Sequence, residues 1–208
     1  MREKIAARDG RLLDLGYFVE WRPYLWARPV ARALSFLGDL AGRRVLEIGR
    51  RSGRMSALFA LLGAEVTMLE KGSTERARAE AEKWGVADRI RLISTDNGWP
   101  QVRGETFDVV FTKSVLWSIA DLDPFIAQID RHLAANGRVV FLENVRGGRF
   151  ISWLRESVVH RGRASWLPEY HGITAEHLDL FRRRFDRVQI RRHCWFVYEI
   201  AGYKQPAG

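Results

Sequence analysis

The sequence predicts an open, doubly wound α/β sheet in a single domain, and three observations carry that expectation. Between positions 42 and 148 short apolar β-like runs alternate with helical stretches, the order required by parallel strands joined through crossover helices. A glycine-bearing turn follows the first of those runs, at the place where such sheets hold ligands. The chain has 208 residues, no internal repeat and no low-complexity linker, which fits one core better than two.

The elements follow in order. An aromatic-rich stretch, residues 17–26, leads into a helix with Trp26, Val30, Ala33, Leu34 and Leu37 on one face, and Pro29 is expected in its first turn. The first strand is 45–48. Its helix carries Leu58, Leu61 and Leu62 before Gly63 ends it. The second strand is 65–70. Ser73 is expected to cap an alanine-rich helix with Glu75 in the first turn and Lys83 in the last, stopped by Gly85. Residues 90–93 form the third strand, and 107–111, apolar throughout after Asp108, the fourth, covered on both faces. A helix bearing Phe125, Ile126, Ile129 and Leu133 and the turn at Asn136 and Gly137 lead to the fifth, 138–143. Runs 188–190 and 195–201 are close enough to pair antiparallel at the sheet edge. The single domain thus divides into an N-terminal helical and aromatic cap segment (1–40), a ligand-binding core (42–147), a cap insertion (148–177) and C-terminal strands (178–208).

Composition narrows the function classes. Lys and Arg outnumber Asp and Glu by 34 to 25, a formal charge of +9 that favours an anionic partner: a charged small molecule, a nucleic acid or a membrane surface. The lone Cys194 permits no internal disulfide and no cysteine-based metal cluster, so no metal site is expected and a reducing cytoplasm fits. No signal-peptide pattern and no stretch of membrane-spanning length is visible.

Chemistry is expected beyond the carboxyl ends of the strands. The turn from Glu47 through Gly49, Arg50, Arg51, Ser52 and Gly53 leaves the first strand there, with glycines that admit a ligand to the backbone and a helix N-terminus that favours an anion. It is not a dinucleotide motif, because Arg51 and Arg54 stand where that pattern needs glycine. Glu70 ends the second strand 21 positions after Gly49, the spacing at which an acid reaches ribose hydroxyls. Asp96, Asn97, Gly98, Trp99 and Pro100 follow the third strand, read either as an adenine-contacting loop or as a plain turn.

From Val45 to Asn144, about half the chain, the sequence resembles the class I S-adenosylmethionine-dependent methyltransferases, especially the small-molecule branch that includes ubiquinone and sugar methyltransferases. The motifs that carry the resemblance are Val-Leu-Glu-Ile-Gly, Val-Thr-Met-Leu-Glu, Asp-Asn-Gly-Trp-Pro and Phe-Asp-Val-Val-Phe-Thr-Lys-Ser-Val-Leu, in that order. The resemblance implies a Rossmann-like sheet of seven strands, mostly parallel with an antiparallel last strand, and S-adenosyl-L-methionine as cofactor. It further implies that Glu47, Gly49 and Gly53 hold the methionine end, Glu70 with Lys71 the ribose, and Asp96 with Asn97 and Trp99 the adenine. Thr112, Lys113 and Ser114 would lie beside the sulfonium. Arg51 replaces a glycine usual in the family, so its side chain must point outward or meet the cofactor carboxylate.

The acceptor is expected to be a small, oxygen-methylated molecule with an anionic group. His171 and His160 are the candidate general bases. Tyr17, Trp21, Tyr24, Trp117 and Tyr170 are candidate walls, with Trp153 as a further aromatic, and Glu143 and Asn144 are placed to orient the acceptor. Two alternatives stay open: a nucleic-acid methyltransferase, which suits the charge, and a non-catalytic binding module, which Arg51 makes conceivable. Base-directed amino methylation is disfavoured because Thr112, Lys113, Ser114 and Val115 stand where an Asp/Asn-Pro-Pro-aromatic run belongs. The oligomeric state is open.

Overall fold

The computed structural model describes residues 3–20, 22–49, 52–95, 102–144, 173–193 and 197–205. The chain opens with a short antiparallel hairpin, β1 (Lys4–Ala6) and β2 (Leu12–Asp14), and a single helical turn, α1 (Leu15–Phe18), capped by the Asp14 side chain. Helix α2 spans Pro23–Leu37. It begins earlier than expected because Pro23 suits the first helical position, which leaves Pro29 inside the helix without an N–H for the ladder. Trp26, Pro29, Val30, Ala33, Leu34 and Leu37 are all buried, and this apolar face anchors α2 against the strands Leu133–Asn144 and Val197–Lys204 as a full layer of the domain.

The remaining elements are β3 (Arg44–Gly49), α3 (Arg54–Leu61), β4 (Glu65–Glu70), α4 (Glu75–Trp84), β5 (Ile90–Ser94), β6 (Phe107–Lys113), α5 (Leu122–His132), β7 (Leu133–Asn144), α6 (Ala175–Arg184), β8 (Phe185–His193) and β9 (Val197–Lys204). Seven strands form one sheet in the order β5-β4-β3-β6-β7-β9-β8. Pairs β3–β4, β3–β6, β4–β5 and β6–β7 are parallel, and β9 runs antiparallel to both β7 and β8. The last strand therefore inserts between β7 and the edge strand β8, which returns to the direction of the parallel set.

Both faces are covered. One holds Val45, Phe111, Val140 and Ala201 under α2 and α3, with Phe59 of α3 edge to face on Phe111 at 4.9 Å. The other holds Leu46, Val110, Phe141 and Ile200 under α5 and α6, with Phe141 and Phe181 packed the same way at 4.9 Å. Helix α3 is buried on every side, Ser56 included, so its sequence shows no polar face. Thr74, one residue past Ser73, is the N-cap of α4, although the Ser73 hydroxyl still accepts from Glu75 N–H at 3.3 Å. Leu133 leaves α5 in extended conformation and opens β7, where Asn136 takes a left-handed φ of 61°.

Candidate functional site

The turn out of β3 is shaped by close packing. Gly53 caps α3 at φ +67°, and a Cβ there would lie 2.6 Å from the Ala77 Cα, so glycine is what lets α3 approach α4. At Gly49 a Cβ would meet the Glu47 Oε1 at 2.6 Å. The missing side chain is thus the space that the Glu47 carboxylate occupies. Glu47 is buried, accepts a hydrogen bond from the Ser56 hydroxyl, and is pushed up to about 7, chiefly by burial and further by Glu70, against the pull of Ser56 and Lys113. Glu70 ends β4 in register with Gly49 and is 2 % exposed, whereas Lys71 beside it is exposed.

The end of β6 is tied to the end of β7. Glu143 is fully buried and accepts from Thr112 Oγ1 at 2.8 Å, from Val115 N–H at 2.9 Å and from Leu116 N–H at 3.0 Å. Burial pushes Glu143 up to about 7 even against those donors. Ser114 turns the chain at φ 56°, accepts from Asn144 Nδ2 at 2.6 Å through its hydroxyl, and accepts from the Trp117 indole at 2.8 Å through its carbonyl. Left-handed backbone at a serine is strained and persists where its surroundings fix it. Lys113, the last residue of β6, places its Nζ 4.9 Å from the Trp26 ring centroid. Burial pushes its ammonium below the usual lysine range, opposed by Glu20, Glu47 and Glu143.

The N-terminal segment closes the third side. Tyr17 donates its hydroxyl to Glu80 at 2.5 Å and receives Lys83 at 2.5 Å, while the Arg54 guanidinium lies 4.2 Å from the Tyr17 ring and donates to its carbonyl at 2.9 Å. These contacts bolt the segment to α3 and α4. Beyond it the chain passes through left-handed Glu20 (φ 59°) and Arg22 (φ 54°) into α2.

Together these pieces enclose a cavity of about 230 Å³ lined by Phe18, Glu20, Trp26, Glu47, Ser52, Gly53, Met55, Lys113, Ser114 and Trp117. Of the residues expected from sequence, Glu47, Gly53, Lys113, Ser114 and Trp117 meet there. Gly49, Glu70 and Asn144 end their strands and do not line it. Thr112 and Glu143 are spent on each other and on the turn after β6, so Glu143 is a buried strap rather than an open acceptor contact. Tyr17 holds the segment in place, and Tyr24 is 66 % exposed on the outside of α2. Trp21, Arg51, Asp96, Asn97, Trp99, Trp153, His160, Tyr170 and His171 lie outside the described residues, as does most of the 148–177 insertion. Sequence reasoning missed Phe18, Glu20 and Met55 and took Trp26 for packing alone. The clustering of Phe18, Trp21 and Trp26 beside an acid was the one available signal.

The cavity suits the amino-acid end of S-adenosylmethionine: the Glu47 acid in a wall, seated in the space a side chain at Gly49 would fill, and Gly53 at a helix N-terminus. A family model described as a methyltransferase domain matches residues 18–192. The protein-L-isoaspartate O-methyltransferase of Methylorubrum populi is 28% identical over 162 residues, 74% of this chain and 71% of that protein. The ubiquinone biosynthesis O-methyltransferase of Pseudomonas syringae pv. tomato is 31% identical over 105 residues, and the match spans 50% of this chain but only 45% of the relative. The Burkholderia thailandensis 1,6-didemethyltoxoflavin-N1-methyltransferase, solved with 1,6-didemethyltoxoflavin and S-adenosylhomocysteine, superimposes with a TM-score of 0.64 over 86% of this chain and 77% of that one. At 19% identity that likeness is one of fold.

Proposed function

Because the chain belongs to the methyltransferase-domain family and is an S-adenosylmethionine-dependent methyltransferase, we propose that it methylates a hydroxyl oxygen of a small, flat acceptor carrying an anionic group. The observation that carries this reading is the cavity itself, where Trp26 and Trp117 contribute aromatic walls and half-buried Lys113 an amine at the carboxyl end of β6. Aromatic walls favour a ring-shaped acceptor, and the charge of +9 draws an anion toward the molecule.

The cofactor supplies an activated methyl group on a cationic sulfur. In this reading Glu47 faces its ammonium, the α3 N-terminus at Gly53 its carboxylate, and Glu70 the ribose hydroxyls, with Asp96, Asn97 and Trp99 assigned to the adenine. Methyl transfer is an in-line displacement, so holding donor and acceptor in contact and excluding water supplies much of the rate. The strap from Glu143 to the turn after β6 serves that end by fixing Ser114 and Trp117.

A second reading has one observation in its favour: the isoaspartate methyltransferase match covers more of the chain than the ubiquinone one. A carboxylate acceptor on a protein needs no base. Radiolabelled S-adenosylmethionine presented with quinols, phenols, sugars, small carboxylic acids, an isoaspartyl peptide and RNA separates the readings. Label in a hydroxylated ring compound is the expected result. Transfer only to the peptide, or only to RNA, overturns the proposal.

A further inference from the structure

Lys113 is the described residue whose position the cofactor reading explains least, because a cation beside a sulfonium repels it. Its side chain shares the sheet face of Val109 and Phe111, so it projects beneath the α2–α3 layer into the cavity, with its amine on the face of Trp26. The groups that face it are Glu20 from the stretch before α2, Glu47 from β3 and Glu143 from β7. Among the described residues none of these makes an ion pair with it. Glu20 leans to Arg54 at 3.8 Å, Glu47 bonds Ser56, and Glu143 is occupied by Thr112, Val115 and Leu116.

Resting on the cofactor reading above, we propose that Lys113 is the general base of the reaction, taking the proton of the acceptor hydroxyl in the cavity that Trp26 and Trp117 line. The oxygen lone pair forms the new O–C bond as the C–S bond breaks with its electron pair going to sulfur, and the hydroxyl proton passes to Nζ. Before transfer the reacting groups carry one positive charge, on the sulfur, beside an uncharged lysine amine. After transfer they again carry one positive charge, now on the Lys113 ammonium, beside a neutral thioether. The positive charge moves across the cavity without changing the net charge that Glu20 and Glu47 face, so little reorganisation of a buried site is required. Burial pushes the Lys113 ammonium below the usual lysine range, the direction a base requires, since an ordinary lysine is charged and cannot accept a proton. No histidine is needed for the step.

The proposal has a signature that needs no acceptor. If sulfonium and ammonium compete for the same cavity, S-adenosylmethionine must expel the Lys113 proton on binding, whereas S-adenosylhomocysteine need not. Calorimetry of both ligands in buffers of different ionisation enthalpy, between about pH 6.5 and 9, counts that proton, and one linked proton changes the ratio of the two Kd values by at most about tenfold per pH unit. Wild-type protein should release more protons to S-adenosylmethionine than to S-adenosylhomocysteine. Glu47, pushed up to about 7, contributes to the excess, and Glu47→Gln removes its share. Lys113→Met should remove the remainder, and Lys113→Arg, charged at every pH, should weaken S-adenosylmethionine relative to S-adenosylhomocysteine by about tenfold without any proton release. Equal proton release in wild type and Lys113→Met, with both ligands bound, overturns the base assignment alone. Failure of wild-type protein to bind either ligand overturns the cofactor reading and the inference with it.

Discussion

The two edges of the sheet are built on opposite principles. At the amino edge, where β3, β4, β5 and β6 begin, the charges lie on the surface and are paired: Arg44 and Arg91 both reach Glu105, at 2.9 and 2.7 Å, Arg89 reaches Glu65 at 3.0 Å, and Arg43 reaches Asp108 at 3.6 Å. At the carboxyl edge the acids are buried. Glu47, Glu70 and Glu143 are at most 4 % exposed, Lys113 sits among them without a described ion pair, and Ser114, Glu20 and Arg22 hold left-handed backbone nearby. A chain selected for stability alone would exchange these arrangements, since buried charge costs several kcal/mol and exposed pairs return about 1 kcal/mol or less. The costly edge is the one to which we assign the chemistry.

The sharpest way to break that contrast is to cut the strap at the costly edge. Glu143→Ala orphans the Thr112 hydroxyl and the N–H groups of Val115 and Leu116, and urea unfolding should show a loss of about 3 kcal/mol or more. A loss below 1 kcal/mol would mean that the turn after β6 does not depend on it.

Next in size is a pH effect confined to the same edge. Glu47 and Glu143 both move from 4.5 to about 7 on folding, so between those values the folded protein binds more protons than the unfolded one. Stability therefore falls as pH rises from about 4.5 through 7, by up to about 3 kcal/mol for each carboxylate. Glu47→Gln carries no charge to bury. It should be more stable than wild type at pH 8 and nearly equal to it at pH 5, and identical pH profiles for the two proteins would contradict the burial argument.

Two glycines with the same φ of +67° sharpen the comparison further. Gly85 closes α4 in open space, whereas Gly53 faces the Ala77 backbone. Gly85→Ala should cost about 1 kcal/mol from the left-handed backbone alone. Gly53→Ala adds a steric conflict and should cost about 2 to 3 kcal/mol, with weaker cofactor binding that Gly85→Ala does not share. The smallest effect belongs to the amino edge: Glu105→Ala breaks two exposed ion pairs and should shift stability by less than about 1 kcal/mol while leaving cofactor affinity unchanged.

Much of this was legible in the sequence. The parallel strands announce themselves because a strand covered on both faces is an unbroken apolar run, as in Val109, Val110 and Phe111, and strand ends such as Glu47, Glu70 and Lys113 then fall at the carboxyl edge by topology alone. Short elements were not legible. The hairpin of Lys4–Ala6 with Leu12–Asp14 has too few residues to show a period, and α2 could begin at either of two prolines until packing selected Pro23. Burial and partnership were hidden as well. Tyr17 read as an acceptor wall until its hydroxyl met Glu80, 63 positions away, and Glu143 read as an acceptor contact until three donors from the β6 turn converged on it. One-dimensional patterns place a residue along a strand but not the partner that consumes its polar atoms.

The contrast between the edges is tested most directly by hydrogen exchange with mass spectrometry, run with and without saturating S-adenosylhomocysteine. Slowed exchange is expected in peptides that end β3 and begin α3 and in those that cover Lys113 to Trp117, with no change at Glu65, Arg91, Glu105 or Asp108. Protection confined to that second group, or none at either edge despite measured binding, would place the ligand elsewhere and contradict the assignment of function to the carboxyl edge.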